Sequence, residues 1–198
     1  MSKSGAFHYQ DLIDIFARCF AKRYNTRLVA GRNEPFYLPA QVPMPAEYDA
    51  TQPVFDYHQV VFAHGFYASA LHEIAHWCIA GERRRQYFDY GYWYAPDGRD
   101  EVQQQAFEQV EQKPQALEWL FADAAGFGFQ VSVDNLSGIE VDRAAFTQRV
   151  AAQKAAYLSQ GLPTRAAMFR AALSEFYGTH LPTLERNRCS LEQQPAVV

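Results

Sequence analysis

YASALHEIAHWCIAG, residues 67–81, carries the spacing H-E-x-x-H in His72, Glu73 and His76, set inside an otherwise apolar run. The run predicts a helix that stops at Gly81, a residue suited to the left-handed position after a helix. Residues four apart share one helical face, so His72 and His76 can offer two imidazole nitrogens to one metal ion, with Glu73 at the same rim. The bare motif also arises by chance, and its setting is what gives it weight. Two histidines and a glutamate enclosed in ALHEIAHWCIA would each cost about 1–3 kcal/mol without polar partners, so a metal or a polar network must satisfy them.

Working upstream from that helix, HQVVFAH (58–64) is an apolar β-type run ending at Gly65. Residues 39–53 hold Pro39, Pro43, Pro45 and Pro53, which excludes a continuous helix or central strand and predicts a surface excursion. TRLVAG (26–31) and EPFYLPA (34–40) read as short β pieces. YQDLIDIFARCFAKRY (9–24) sets Leu12, Ile13, Phe16, Cys19 and Phe20 at helical spacing. Downstream, YFDYGYWYAPDGRD (87–100) predicts an aromatic strand and a turn at Pro96-Asp97-Gly98. Residues 101–126 are largely helical, with Pro114 marking a kink or the first turn of a second segment. FQVSVDNLSG (129–138) alternates like a strand, and 142–161 and 164–178 predict two amphipathic helices. The expected architecture is α+β in a single domain spanning 1–198, with 1–8 and 183–198 as loose tails. A metal-binding helix packs there on a second, glutamate-bearing helix and a small sheet.

Two histidines do not complete a metal site, and helix 101–126 supplies Glu108, Glu111 and Glu118 as candidates for a third ligand. Glu111 is preferred because it precedes Pro114, at an expected helix start where a carboxylate is locally favoured; Glu108 and then Glu118 follow. From the residues alone the leading class is a zinc metallopeptidase, with Glu73 as general base for a metal-bound water. A noncatalytic protein that uses the metal for stability is disfavoured, because a closed structural site usually has a fourth ligand and none is evident.

Composition removes other classes. The chain has 198 residues, 48% of them hydrophobic, and a net charge of −4 with scattered Lys and Arg, which argues against duplex nucleic acid as a partner. The three cysteines Cys19, Cys78 and Cys189 lack C-x-x-C spacing and suit a reducing compartment. Asp11 and Asp14 interrupt any signal-type run, and no stretch approaches the ~18 apolar residues of a membrane span. A cytoplasmic protein without a membrane partner is therefore expected. G-x-S-x-G, a Gly-rich phosphate loop and a Rossmann fingerprint are all missing, which removes serine-nucleophile and nucleotide-dependent chemistry.

VVFAHGFYASALHEIAHWCIAG (60–81), GYWYAPDGRD (91–100) and VEQKPQALEWLF (110–121), with NTRL and EPFYLPA before them, resemble the elongation factor P hydroxylases over residues 9–180. The resemblance implies a gluzincin-peptidase-like core and a metal-dependent protein-lysine hydroxylase. Its substrate would be the β-lysyl-lysine residue of bacterial elongation factor P, modified in the last step of that factor's maturation. It also implies a metal site of His72, His76 and Glu111. Such a two-histidine, one-carboxylate set suits non-haem iron(II), with zinc, manganese or cobalt as other divalent candidates. In a hydroxylase Glu73 would orient ligands rather than activate a hydrolytic water. No Arg/Lys-anchored 2-oxoglutarate signature is evident, and that cosubstrate is not expected. A lysyl-lysine tip carries several positive charges and calls for an acidic, aromatic cleft. Asp89, Tyr92, Tyr94 and Asp97 are the candidate lining, with His64 beside Gly65 as a further substrate residue.

Overall fold

Short β-type runs and longer amphipathic segments alternate along the chain, and a computed structural model describes residues 7–32, 34–49, 51–90, 98–133, 135 and 140–180. Three strands, β1 (Thr26–Ala30), β2 (Phe36–Leu38) and β3 (His58–Phe62), form one sheet in the order β1-β3-β2. β1 lies parallel to β3, with Thr26 opposite His58 and Ala30 opposite Phe62. β2 lies antiparallel to β3, with Phe36 opposite Val61. The middle strand is covered on both faces, so Val60, Val61 and Phe62 are all buried and its sequence is continuously apolar rather than alternating. A parallel pair needs a long crossover. Residues 31–57 provide it, and the proline-rich stretch within them carries a one-turn helix, α2 (Ala46–Asp49), and the buried Met44.

The longer helices are α1 (Tyr9–Tyr24), α3 (Tyr67–Ile79), α4 (Glu101–Ala125), α5 (Arg143–Gln160) and α6 (Thr164–Tyr177). α1 packs on β1, α3 packs on β3, and α4 lies against α3, α5 and α6, giving an α+β domain. The main core joins Leu12, Phe16 and Phe20 of α1, Val60 and Phe62 of β3, Leu71, Ile74 and Trp77 of α3, Leu117, Leu120 and Phe121 of α4, and Phe169 and Leu173 of α6. Trp77 sits among aromatic rings, 5.1 Å from Phe16 and 4.8 Å from Phe20 between centroids, in tilted and edge-on arrangements that such rings prefer. The amphipathic spacing of 9–24 and of the two C-terminal helices is thus realised as core faces.

Three local expectations are corrected. α4 runs without a break through Pro114. Proline removes the N–H that would meet the carbonyl of Val110, but Val110 is 49% exposed, so water can serve that carbonyl. Its true start is Asp100, whose side chain accepts from the Gln103 N–H while the Gln103 side chain accepts from the Asp100 N–H. Secondly, α3 does not end on a left-handed Gly81: Ala80 turns extended, with φ −61° and ψ 122°. The terminal carbonyls are taken instead by Arg165, whose Nη2 donates to Trp77, Cys78 and Ala80. Thirdly, the described part of 129–138 pairs with no strand. Val131 and Val133 are buried in a second cluster with Ala116, Phe146 and Val150. Side chains hold this segment's backbone: Gln115 donates to the Ser132 carbonyl and accepts from its N–H, and Arg143 donates to the Val131 carbonyl. Its alternation reports burial against α4 and α5, which a strand pattern and an extended coil share. Of the aromatic stretch 87–100, Asp89 makes an isolated bridge with Tyr37, while residues 91–97 lie outside the described residues.

Candidate metal centre

β3 feeds α3 through a turn in which His64 (φ 54°) and Gly65 (φ 67°) are both left-handed. Gly65 tolerates this conformation, and a Cβ there would stand 3.0 Å from the Tyr9 ring, so glycine is favoured on both counts. The turn is tied by the Ala63 N–H donating to Ser69 Oγ, which fixes where α3 begins. His72 and His76 then follow on one face, toward α4.

The two Nε2 atoms stand 3.0 Å apart. Glu111 closes the group, with one carboxylate oxygen 3.5 Å from His72 Nε2 and the other 3.3 Å from His76 Nε2. Glu111 is 4% exposed, and its Oε2 has no hydrogen-bond partner. A buried carboxylate oxygen in that state is costly. Ligand atoms about 2.1 Å from one ion stand about 3.0–3.5 Å apart when the angles between them are near 90–110°. The convergent donors and the orphaned oxygen therefore fit a divalent cation, and one offered atom from each of His72, His76 and Glu111 lies within 4.8 Å of the others. Among the described residues three donors converge, and such a set suits a site with open positions, as a catalytic rather than a closed structural site requires.

Charge follows the same geometry. Burial would push the Glu111 carboxyl up, but the charge and hydrogen bond of His76, the charge of His72 and a hydrogen bond from Gln115 hold it down at about 2. Burial works to lower His72, but the hydrogen bond and charge of Glu118, with the charge of Glu111 behind them, push it up to about 10. For Glu73, burial raises the pKa against the lowering by the two histidine charges. Its carboxyl lies on the wall of the cleft rather than in the three-donor group.

The cleft opens beside the cluster. His72, Glu73, His76 and Glu111 share its wall with Phe36, Tyr37, Tyr90, Phe107 and Trp77, and with Arg84, Arg85 and Asp89. Asp89 is thus on the cleft wall, with its carboxylate paired to Arg84 and its backbone bridged to Tyr37. Tyr92, Tyr94 and Asp97 lie outside the described residues. His64 is at the exposed turn with its ring near Phe66, 5.7 Å between centroids, and is not part of the cleft wall.

Of the other glutamates considered as ligands, Glu108 pairs with Arg149 of α5 and accepts from Gln104. Glu118 accepts from His72 Nδ1 at 2.8 Å, on the far side of the ring from Glu111. Spacing could have separated the two. Seven residues return to within about 20° of the same helical direction, whereas three leave a gap of about 60°. Tyr37 was not foreseen at the site: its hydroxyl donates to the Arg85 carbonyl and meets His58 Nδ1 at 3.0 Å, holding β2 to the cleft rim.

Known proteins similar to this chain point to one family. The family model described as elongation factor P hydroxylase matches residues 15–187. A protein of Haemophilus influenzae named elongation factor P lysine hydroxylase is 52% identical over 170 residues, covering 86% of this chain and 89% of that relative. With the match running through both the H-E-x-x-H helix and the Glu111 helix, the chain belongs to the elongation factor P hydroxylase family.

Proposed function

We propose that this protein hydroxylates the β-lysyl-lysine residue of elongation factor P, using one divalent metal ion held by His72, His76 and Glu111. The observation that carries this proposal is the 52% identity, over most of both chains, to a protein named elongation factor P lysine hydroxylase. The three-donor cluster beside an aromatic and charged cleft supports it. Iron(II) is the metal proposed, because a two-histidine, one-carboxylate set with open positions is the donor arrangement of non-haem iron oxygenases. When bound, such an ion supplies oxygen activation at the cleft wall. Among the described residues no helix is long and apolar enough to cross a membrane. The cytoplasm, where elongation factor P works, is the proposed location.

The chain's own residues then have separable tasks. Phe36, Tyr37, Tyr90 and Phe107 give the cleft an apolar wall for the alkyl part of a lysine arm. Asp89 supplies a carboxylate for one of its ammonium groups, and Glu73, on the same wall beside the histidines, takes the catalytic role of orienting the ligands. The Arg84 partner of Asp89 is 47% exposed, so that ion pair contributes about 0–1 kcal/mol, less than the about 1.5–3 kcal/mol of a desolvated charge-assisted contact. An incoming ammonium can therefore displace Arg84. Asp97, Tyr92 and Tyr94 complete the proposed substrate-binding set in the cleft, and His64, off its wall, is proposed to meet the substrate outside it. A relation of the core to the gluzincin peptidases is part of the same proposal, supported by the H-E-x-x-H helix facing a downstream glutamate on a second helix.

Product mass separates the proposal from a metallopeptidase. Protein reconstituted with iron(II) and given β-lysylated elongation factor P, air and an excess of a two-electron reductant such as ascorbate is expected to add one oxygen atom to the modified residue, the second oxygen atom of O2 leaving as water, and to cut no peptide bond. Metal-dependent cleavage of the factor without oxygen gain would reverse the assignment.

A further inference from the structure

Glu118 is seven residues after Glu111 on α4, two helical turns along the same side, yet the two carboxylates meet His72 at opposite edges of its ring. Glu111 approaches Nε2 at 3.5 Å, while Glu118 Oε2 lies 2.8 Å from Nδ1. A carboxylate only accepts, so Nδ1 carries a proton, and Nε2 is the nitrogen left to face Glu111 and His76. Among the described residues His76 Nδ1 has no comparable partner, so the two histidines are not equivalent.

We propose that Glu118 is a positioning residue of the metal centre: it fixes the tautomer and ring orientation of His72 and does not itself bind the ion. This rests on the metal-centre proposal above. The geometry excludes a ligand role for Glu118 while its bond to Nδ1 stands, because the ring lies between its carboxylate and the point where the other three donors converge. A carboxylate behind a ligating histidine also raises the basicity of the coordinating nitrogen. Glu118 further lines a second surface depression, with Ala68, Ala122 and Phe127–Gln130, that shares no residue with the cleft. Water can enter there when the side chain is shortened, so its loss weakens the centre without emptying it. The chain thus builds the centre from two helices, with two carboxylates on one side of α4, two turns apart, meeting opposite edges of His72.

The test uses zinc(II) alone, measured by competition with a fluorescent chelator, so it needs no hydroxylation. Glu118→Ala is expected to bind one ion with affinity lowered about 10–100-fold. Glu118→Gln, whose amide oxygen can accept the same proton, falls between it and the parent, and far-ultraviolet circular dichroism is unchanged in both. In the zinc-loaded parent, nitrogen-15 spectra of the histidines are expected to show a proton on Nδ1 of His72 in a strong hydrogen bond, a signal that Glu118→Ala loses while the His76 resonances stay unchanged. Parental affinity in Glu118→Ala overturns the positioning role. Total loss of the ion at saturating zinc, as expected for His72→Ala, overturns it in the other direction by making Glu118 a ligand. A parent that takes up no ion sinks the metal centre itself, which is a different result from either.

Discussion

Glu108, Glu111 and Glu118 stand on one helix and go to three different partners, an arginine, a histidine pair and the back of a histidine ring. The histidine pair was legible because a spacing of four has a single helical consequence. Glu111 was legible as one of three; its place beside Pro114 favoured it for a reason that fails, since α4 does not begin there. What selects it is the facing of α3 against α4, a tertiary fact. Glu111→Ala is accordingly expected to abolish metal retention, whereas Glu108→Ala keeps it and loses up to about 1 kcal/mol of stability with its half-exposed Arg149 partner. Metal analysis of the two purified variants decides this, and full occupancy in Glu111→Ala would sink the assignment. Proton linkage offers a second check. Without metal, His72 holds its proton up to about pH 10, while Glu111 has lost its own above about 2. Between about pH 7 and 10 an entering ion therefore displaces one proton, from His72, and apparent affinity rises up to about tenfold per pH unit. Chelator-buffered titrations at several pH values measure the slope; a flat profile would mean that His72 is neutral before the ion arrives.

At the scale of elements, helices read more surely than extended segments because a helix satisfies its backbone internally and a strand needs a neighbour the sequence does not name. The apolar spacing of 9–24 produced α1 with the same limits. FQVSVDNLSG alternated equally well, but the backbone groups of Val131, Ser132 and Val133 are met by side chains of Gln115, Arg143 and Arg99, and its described part pairs with no strand. Gln115, 1% exposed, makes a two-way amide contact with Ser132 that imitates a strand neighbour. Gln115→Ala removes both bonds to the Ser132 backbone, at an expected cost of about 1–3 kcal/mol. Since Gln115 also donates toward Glu111, its loss should loosen the ligand side as well. Hydrogen exchange locates the effect: the Ser132 amide should lose protection in the variant while amides in the middle of α1 keep theirs. Uniform loss across both would show that the segment is no independent unit of α4.

For the whole molecule, the question is whether the centre holds the fold or the fold holds the centre. The three donors come from α3 and α4 alone, and these helices already meet through Leu71, Ile74, Leu117, Leu120 and Phe121, all within the main core. Two apolar clusters without metal ligands, one around Phe16, Trp77 and Phe169 and one around Val131 and Phe146, extend to every other long helix. In the metal-free protein the Glu118 bond and the Glu111 contacts satisfy the polar groups in part, so losing the ion does not leave unpaired charge in the core. A ligand present at 1,000 times its dissociation constant adds about 4 kcal/mol to stability. For a domain of this size each kcal/mol moves the midpoint of thermal unfolding by about 2–4 °C. Chelation is therefore expected to lower that midpoint by about 8–16 °C while the helical signal at 25 °C and a single cooperative transition both survive. Circular dichroism with and without chelator makes the measurement, and re-adding the ion should restore the original midpoint. Loss of helical signal at 25 °C on chelation would place the ion among the supports of the fold, and the open coordination positions would then need another explanation than catalysis.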